Sequence, residues 1–561
     1  MPSSLTFNNS IANTGPSICD AFSNYFHSNF IEHSVLDEPI SPILSDYPVA
    51  DISSIFVNVE TVERLIRNLD AYKTSGPDDL PAYFLKQCAK TIAVPLSMLF
   101  ERSLREGVVP TVWKRAYITP VHKKGSRTDI ANYRPISKLC IVSKLLEKTI
   151  FNQLYPALKH TLSSSQHGFL RGRSTVTNLL VFNEFLTNAM DNGQQVDVVY
   201  TDYSKAFDRI GHSQLLLKLQ QIGIHGDLLR WFASYIKNRS QAVVINNYIS
   251  SWLNIPSGVP QGSILGPLLF VLFVNDIDKC FRAARVLCFA DDMKIFSTIS
   301  NASDADALQS DLQRLELYCC TNHLDLNPSK CGIVSFGRKR NMLHFNYKIM
   351  DMSLHRASHV RDLGIVQDSK VLYDMHIDSI VAKARKSLGF LMRTSRDFTR
   401  AKTLKILYCT LVRSQLEYAS QVWNPRYETY VTRIERVQRK FVRYLCYRTG
   451  EDYDSVNYSV VCTKHHLLPL AKRRNNADII FLMRIARGGL DCSELLSLVN
   501  IKVPVMGLRR SDLLSLSYAT TNYRQNAFIR RASNGFNIAC KDTDLDLFNT
   551  GVTTAKRLLN L

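Results

Sequence analysis

Apolar residues recur along this chain with two different periods, and the change from one to the other divides it. Up to about residue 370, short runs of β-branched and aromatic residues alternate with helical stretches. "DVVYT", ending at Thr201, reads as one strand; "RVLCF" from Arg285 and "MKIFS" from Met293 read as two more, joined by a tight turn. "TVERLIRNLDAY" from Thr61 and "SQLLLKLQQIG" from Ser213 place apolar side chains three and four apart, which predicts helices. Such mixing predicts an α+β domain. From about residue 376 the helical period takes over. Val431, Ile434, Val437, Phe441 and Leu445 form one stripe, with Arg433, Arg436, Arg439, Lys440 and Arg443 around it, an amphipathic basic helix. Residues 1–50 are rich in Ser, Asn, Pro and Asp, and predict a linker with one short helix in "ICDAFSNYFHSNFI". There is no internal repeat.

Composition narrows the picture. The 561 residues suffice for several cored domains, and 45% hydrophobic with 21% charged residues is a globular balance. The longest apolar run, "PLLFVLFV" from Pro267, is too short to cross a bilayer, and the N-terminal residues lack a secretory pattern. An intracellular protein of nucleus and/or cytoplasm, without membrane partners, is expected. Thirteen scattered cysteines with no C-x2-C pair argue against a disulfide framework or a zinc knuckle.

The net charge of +20 is uneven. Residues 1–80 hold eleven acidic and three basic side chains; residues 381–450 hold sixteen basic and four acidic ones. A basic stretch of that length predicts a polyanion partner through counterion release.

Candidate chemistry concentrates on three carboxylates. Asp202 follows a strand, and Asp291 and Asp292 occupy the turn between two others. Alone, each reads as a turn or capping residue. Converging, they make an all-oxygen site for a hard divalent cation, with Mg²⁺ the best fit and two ions the expected number.

The order of motifs around these residues resembles that of reverse transcriptases, specifically non-LTR retrotransposon enzymes of the jockey-like type. "TDYSKAFD" and "FADD" are similar to motifs A and C. "WKRAYITPVHKKGSRTDIANYRPIS" resembles the fingers motifs, and "QHGFLRGRST" the insertion before the palm. "SGVPQGSILGPLLFVLFVNDI" resembles motif B, "LNPSKCGIVSFG" motif D, "VRDLGIVQD" the primer grip, and "RSQLEYASQVWNP" the thumb. The resemblance covers about residues 10–450. It implies metal ligation by Asp202, Asp291, Asp292 and the Tyr203 carbonyl. Lys330 becomes a general acid for pyrophosphate. Phe207 would be the ring that refuses a 2′-hydroxyl, with Lys123, Lys124, Arg134, Gln261 and Gly262 also about the nucleotide. The basic helix residues would hold nucleic acid.

The resemblance further implies a right-hand polymerase with an antiparallel palm sheet. Its expected divisions are a linker-like segment over 1–59, fingers and palm over 60–370, a helical basic thumb over 371–450, and a helical extension over 451–561. Its activity would be RNA-directed DNA synthesis, taking an RNA template, a DNA primer or target, and deoxynucleoside triphosphates. Relatives of this type carry an endonuclease ahead of the polymerase, so a truncated copy or a partial gene model is expected. The alternative is a decayed or co-opted copy that only binds RNA.

Overall fold

The strand Gln195–Thr201 lies at the centre of a five-stranded sheet because both its faces are covered. Val196 and Val198 enter one hydrophobic cluster and Val199 the other, all fully buried. A strand sealed on both faces is rich in β-branched residues, as here, and the one charge it buries, Asp197, accepts hydrogen bonds from Gln195 and Tyr347. Asp292–Ile299 and Gly332–Phe336 flank it in antiparallel pairing, and Arg285–Phe289 and His355–Arg356 form the two edges. The structure is a computed structural model and describes residues 4–7, 10–31, 49–453, 458–502 and 512–560.

A second sheet joins Tyr133–Lys138, Arg115–His122 and Arg239–Ile245. Against it lies the helix Gly15–His27, capped by Thr14. Ile18, Cys19, Phe22 and Phe26 bury themselves there with Ile118, Tyr133 and Val243. The N-terminal stretch read from composition as a linker is therefore, in its described part, a packed element. Apart from the buried Ser23, its polar residues lie toward the outer face, while four apolar ones at helical spacing form the stripe that docks. Residues 32–48 of that stretch lie outside the described residues.

Beyond Asp374 every described regular element is a helix. Asp374–Thr394 packs on Glu428–Thr449, and Leu470–Ala486 on Phe528–Asp542. The C-terminal residues do not form a separate core. Phe528, Ile529, Leu545 and Leu547 share one cluster with Val196, Val198, Phe296 and Phe336 of the central sheet. The helix Thr175–Asp191 is the seam. Its buried Glu184 accepts hydrogen bonds from Arg524 (2.6 Å) and from the Ile529 backbone N–H (2.8 Å). At its end Asp191 accepts the Thr520 and Thr521 hydroxyls, each at 2.7 Å.

All thirteen cysteines are free thiols. Among the described residues no helix is long and apolar enough to cross a membrane. The arrangement is a mixed helix-and-sheet domain with a helical second half, as the two periods predict.

Removing one member of a buried ion pair strands the other, at a cost of about 3–5 kcal/mol. Arg524→Ala is expected to lower unfolding free energy by that amount in urea titration, with Glu184→Gln in the same background recovering most of the loss.

Candidate active site

The register of two strands assembles the acidic cluster. Thr201 pairs with Met293, and Asp292 with Phe289, so Asp202 emerges at the same end of the sheet as the Ala290–Asp291 turn. In an antiparallel ladder such neighbours stand about 5 Å apart. The carboxylates act on one another accordingly. Burial, and then the charge of Asp202, push the Asp291 carboxyl above its ordinary value. Burial on its inner side, then Asp291, Asp202 and Asp362, push Asp292 up to about 6.

The counter-charges come from elsewhere in the chain. Lys294, the base nearest in sequence, is buried and paired with Asp362 on the next hairpin. Lys330 instead reaches Asp202, Nζ to Oδ2 at 2.8 Å, from the short helical turn Pro328–Lys330. Lys123 and Arg134 lower the carboxyl of Asp291, and Asp202 supports the charge of Lys123. Burial and the repulsion of Arg134, Lys124 and Lys330 lower the Lys123 ammonium. Lys330 thus contacts Asp202, and the charges of Lys123 and Arg134 are felt at the acidic cluster.

Tyr203 forms an isolated antiparallel bridge with Leu326, with Asn327 N–H donating to the Asp202 carbonyl and Ser204 N–H to the Asp325 carbonyl. In that pattern the carbonyl of Tyr203 points away from the bridge, while its ring is buried in the core.

Phe207 stacks on Phe270 of the helix Gly266–Phe273, with centroids 4.4 Å apart and rings inclined by 14°. Gln261 donates from Nε2 to Asp208 Oδ1 at 2.9 Å, tying its loop to the turn after Asp202. A Cβ on Gly262 would stand 2.5 Å from the Ser137 carbonyl, so only glycine fits there. Asp208 is a residue that sequence reasoning missed. It is buried, and burial pushes its carboxyl up to about 6 against the lowering effect of Gln261, Lys205 and Arg209. Glu147, also missed, is buried and accepts from Ile264 N–H at 2.6 Å, ahead of the Phe270 helix.

The loop around Gln166 braces the Ala290–Asp291 turn. Gln166 Oε1 accepts from Ala290 N–H (2.9 Å) and Gly168 N–H (2.7 Å), while His167 N–H and Asn178 Nδ2 donate to the Cys288 carbonyl. Ala290 sits at φ +58°, an unusual conformation for a residue with a Cβ. A Cβ on Gly168 would meet Ala290 N at 2.2 Å, so the two backbones touch. "QHGFLRGRST" carried this signal as a motif, but its partner strand lies more than a hundred residues away.

The basic helix Glu428–Thr449 buries Ile434, Val437, Phe441 and Leu445. Between it and Asp374–Thr394 runs a groove of about 950 Å³. Arg436, Arg439, Lys440 and Arg443 line it, joined by Arg393, Arg396 and Arg448, with Tyr447 exposed at its edge. Arg433 stands outside this lining and pairs with Asp378.

Asp202, Asp291 and Asp292 supply oxygen donors suited to a hard cation, although among the described residues no three acidic, His or Cys side chains close into a cage. Mg²⁺ does not need one, since it binds through one or two carboxylates, water and substrate phosphates.

Residues 121–390 match the family described as reverse transcriptase (RNA-dependent DNA polymerase). Over 418 residues the chain is 26% identical to the probable RNA-directed DNA polymerase from transposon X-element of Drosophila melanogaster, covering 73% of this chain and 44% of the relative. The corresponding protein from transposon BS of the same organism is 26% identical over 450 residues, covering 76% and 49%. The RNA-directed DNA polymerase from mobile element jockey, again from Drosophila melanogaster, is 26% identical over 445 residues, covering 76% and 48%. The chain thus spans about half the length of the curated relatives it matches.

Asp208 makes a pH signature measurable. Its folded-state carboxyl is raised, so the fold loses stability as pH climbs from about 4, the unfolded value, to about 6. Asp208→Asn keeps an acceptor for Gln261 and should match the wild type at pH 4. Above pH 6 it should be more stable by up to about 3 kcal/mol, as read by thermal melts across that range.

Proposed function

We propose, from the reverse transcriptase domain that residues 121–390 form, that this chain extends a primer 3′-hydroxyl on an RNA template, using deoxynucleoside triphosphates. The observation that carries this reading is the convergence of Asp202, Asp291 and Asp292 on one sheet end, faced by Lys123, Arg134 and Lys330. Acidic donors beside basic side chains suit a substrate that brings both metal and phosphate. The carboxylates would hold two Mg²⁺ ions, whose Lewis acidity would be available to the 3′-hydroxyl and the pyrophosphate leaving group. Asp202 and Asp291 would hold them, with Asp292 and the Tyr203 carbonyl adjacent.

The protein's own groups do the rest. Lys123, Lys124 and Arg134 orient the triphosphate, Arg134 by two parallel hydrogen bonds. Lys330, which pairs with Asp202 here, gives a proton to pyrophosphate in this reading. Gln261 and Gly262 bring backbone close to the base pair, and the Phe207 ring under the sugar leaves no room for a 2′-hydroxyl. In this reading residues 60–370 are fingers and palm, 371–450 the thumb and 451–561 an extension bound to the palm. The groove lined by Arg436, Arg439, Lys440 and Arg443 takes the phosphate backbone, recognising shape and charge rather than base sequence.

Incorporation of labelled dTTP on poly(rA)/oligo(dT) tests the chemistry. Wild-type protein with Mg²⁺ should extend the primer, and Asp291→Ala should lose about a hundred- to a thousandfold in rate, the scale of a lost charge-stabilising group. Equal extension by both proteins would overturn the assignment.

The groove is tested separately by hybrid binding at increasing salt. Replacing Arg436, Arg439 and Lys440 by Ala should weaken binding across all sequences, and flatten the slope of log K against log salt by about one per lost phosphate contact.

A further inference from the structure

The Phe207 ring has two supports, and only one of them is a core contact. Phe270 stacks on its face, while Phe169 meets it edge-on, with centroids 6.0 Å apart and planes at 88°. Phe169 is 49% exposed, so burial does not explain its position. Its backbone sits at φ +60°, where a bulky side chain is rarely found.

Anchors on both sides hold it there. Gly168 before it is fastened to Gln166 Oε1 and pressed against Ala290 N; Leu170 after it is buried, and Arg171 N–H donates to Tyr155 Oη at 2.8 Å. A strained, half-exposed aromatic held by its neighbours and touching a site residue points to function rather than packing.

We propose that Phe169 is a specificity-determining positioning residue: it fixes the tilt of the Phe207 ring and so sets how strictly a 2′-hydroxyl is refused. The inference rests on the reading of Phe207 as the sugar gate. A ring stacked on one face alone can slide and tilt in its plane of contact; an edge-on partner removes that freedom. The same loop fastens Ala290, next to Asp291, so the gate and the catalytic carboxylates are referenced to one support. Discrimination and metal placement are thereby coupled through residues 166–169.

The test compares dTTP with UTP on poly(rA)/oligo(dT), reading kcat/KM for each. Phe169→Ala should raise the UTP to dTTP ratio by about fivefold, the scale that one aromatic contact carries. Phe169→Tyr, which keeps the ring edge, should hold the wild-type ratio. Phe169→Leu, which keeps apolar bulk without the edge, should relax it, and serves if the alanine variant melts early. In a Phe207→Ala background, Phe169→Ala should add nothing, because its route of action is gone. An unchanged ratio in Phe169→Ala and Phe169→Leu, or the same increment with and without Phe207, would overturn the proposal while leaving the reverse transcriptase reading standing. Failure of the wild-type arm to incorporate dTTP would overturn that reading and the proposal with it.

Discussion

The pairing of Thr201 with Met293 is the constraint on which the site depends. Side chains alternate between the faces of a sheet, so a slip of one residue would turn every apolar residue of Gln195–Thr201 to the wrong cluster and carry Asp202 away from the turn. Register is strongly specified where both faces are buried, and here they are. The hydrophobic effect, acting on Val196, Val198 and Val199, therefore places a carboxylate that it would never itself bring beside two others.

That placement is electrostatically uphill, and the rest of the structure answers it from a distance. The base closest in sequence, Lys294, is committed to Asp362 beneath the sheet. Lys330 arrives from beyond the next helix, and Lys123 and Arg134 from the other sheet. Gln166 holds the turn that aims the acidic pair, by hydrogen bonds to a backbone that would otherwise relax from its left-handed conformation. Together these contacts offset the like charges gathered at one sheet end.

The C-terminal helices serve the same end. By sharing a core with the central sheet and clamping Glu184 and Asp191, they stiffen the helix Thr175–Asp191 that lies behind the carboxylate strands. Asn178, which reaches the Cys288 carbonyl, sits on that helix. The extension thus touches the site through one intermediate element. The basic groove between Asp374–Thr394 and Glu428–Thr449 also takes Arg393 and Arg396, which no periodicity in the second helix marks.

The strands Gln195–Thr201 and Arg285–Phe289, the acidic turn and the basic helix were legible in the residues alone, because each is a local pattern of period and charge. Motif order made Asp202, Asp291 and Asp292 a set before any geometry was known. The short N-terminal helix was legible too, but its docking was not, since nothing local in Ile18, Cys19, Phe22 and Phe26 names the sheet they pack against. Nor were Gln166, Asp208 and Glu147, whose buried amide and carboxylates look like any polar residue until their partners are in place. Local sequence determines which segments can form and which groups carry charge. Only the tertiary structure decides which remote backbone each buried polar group must satisfy, because a hydrogen bond has no sequence period to announce it.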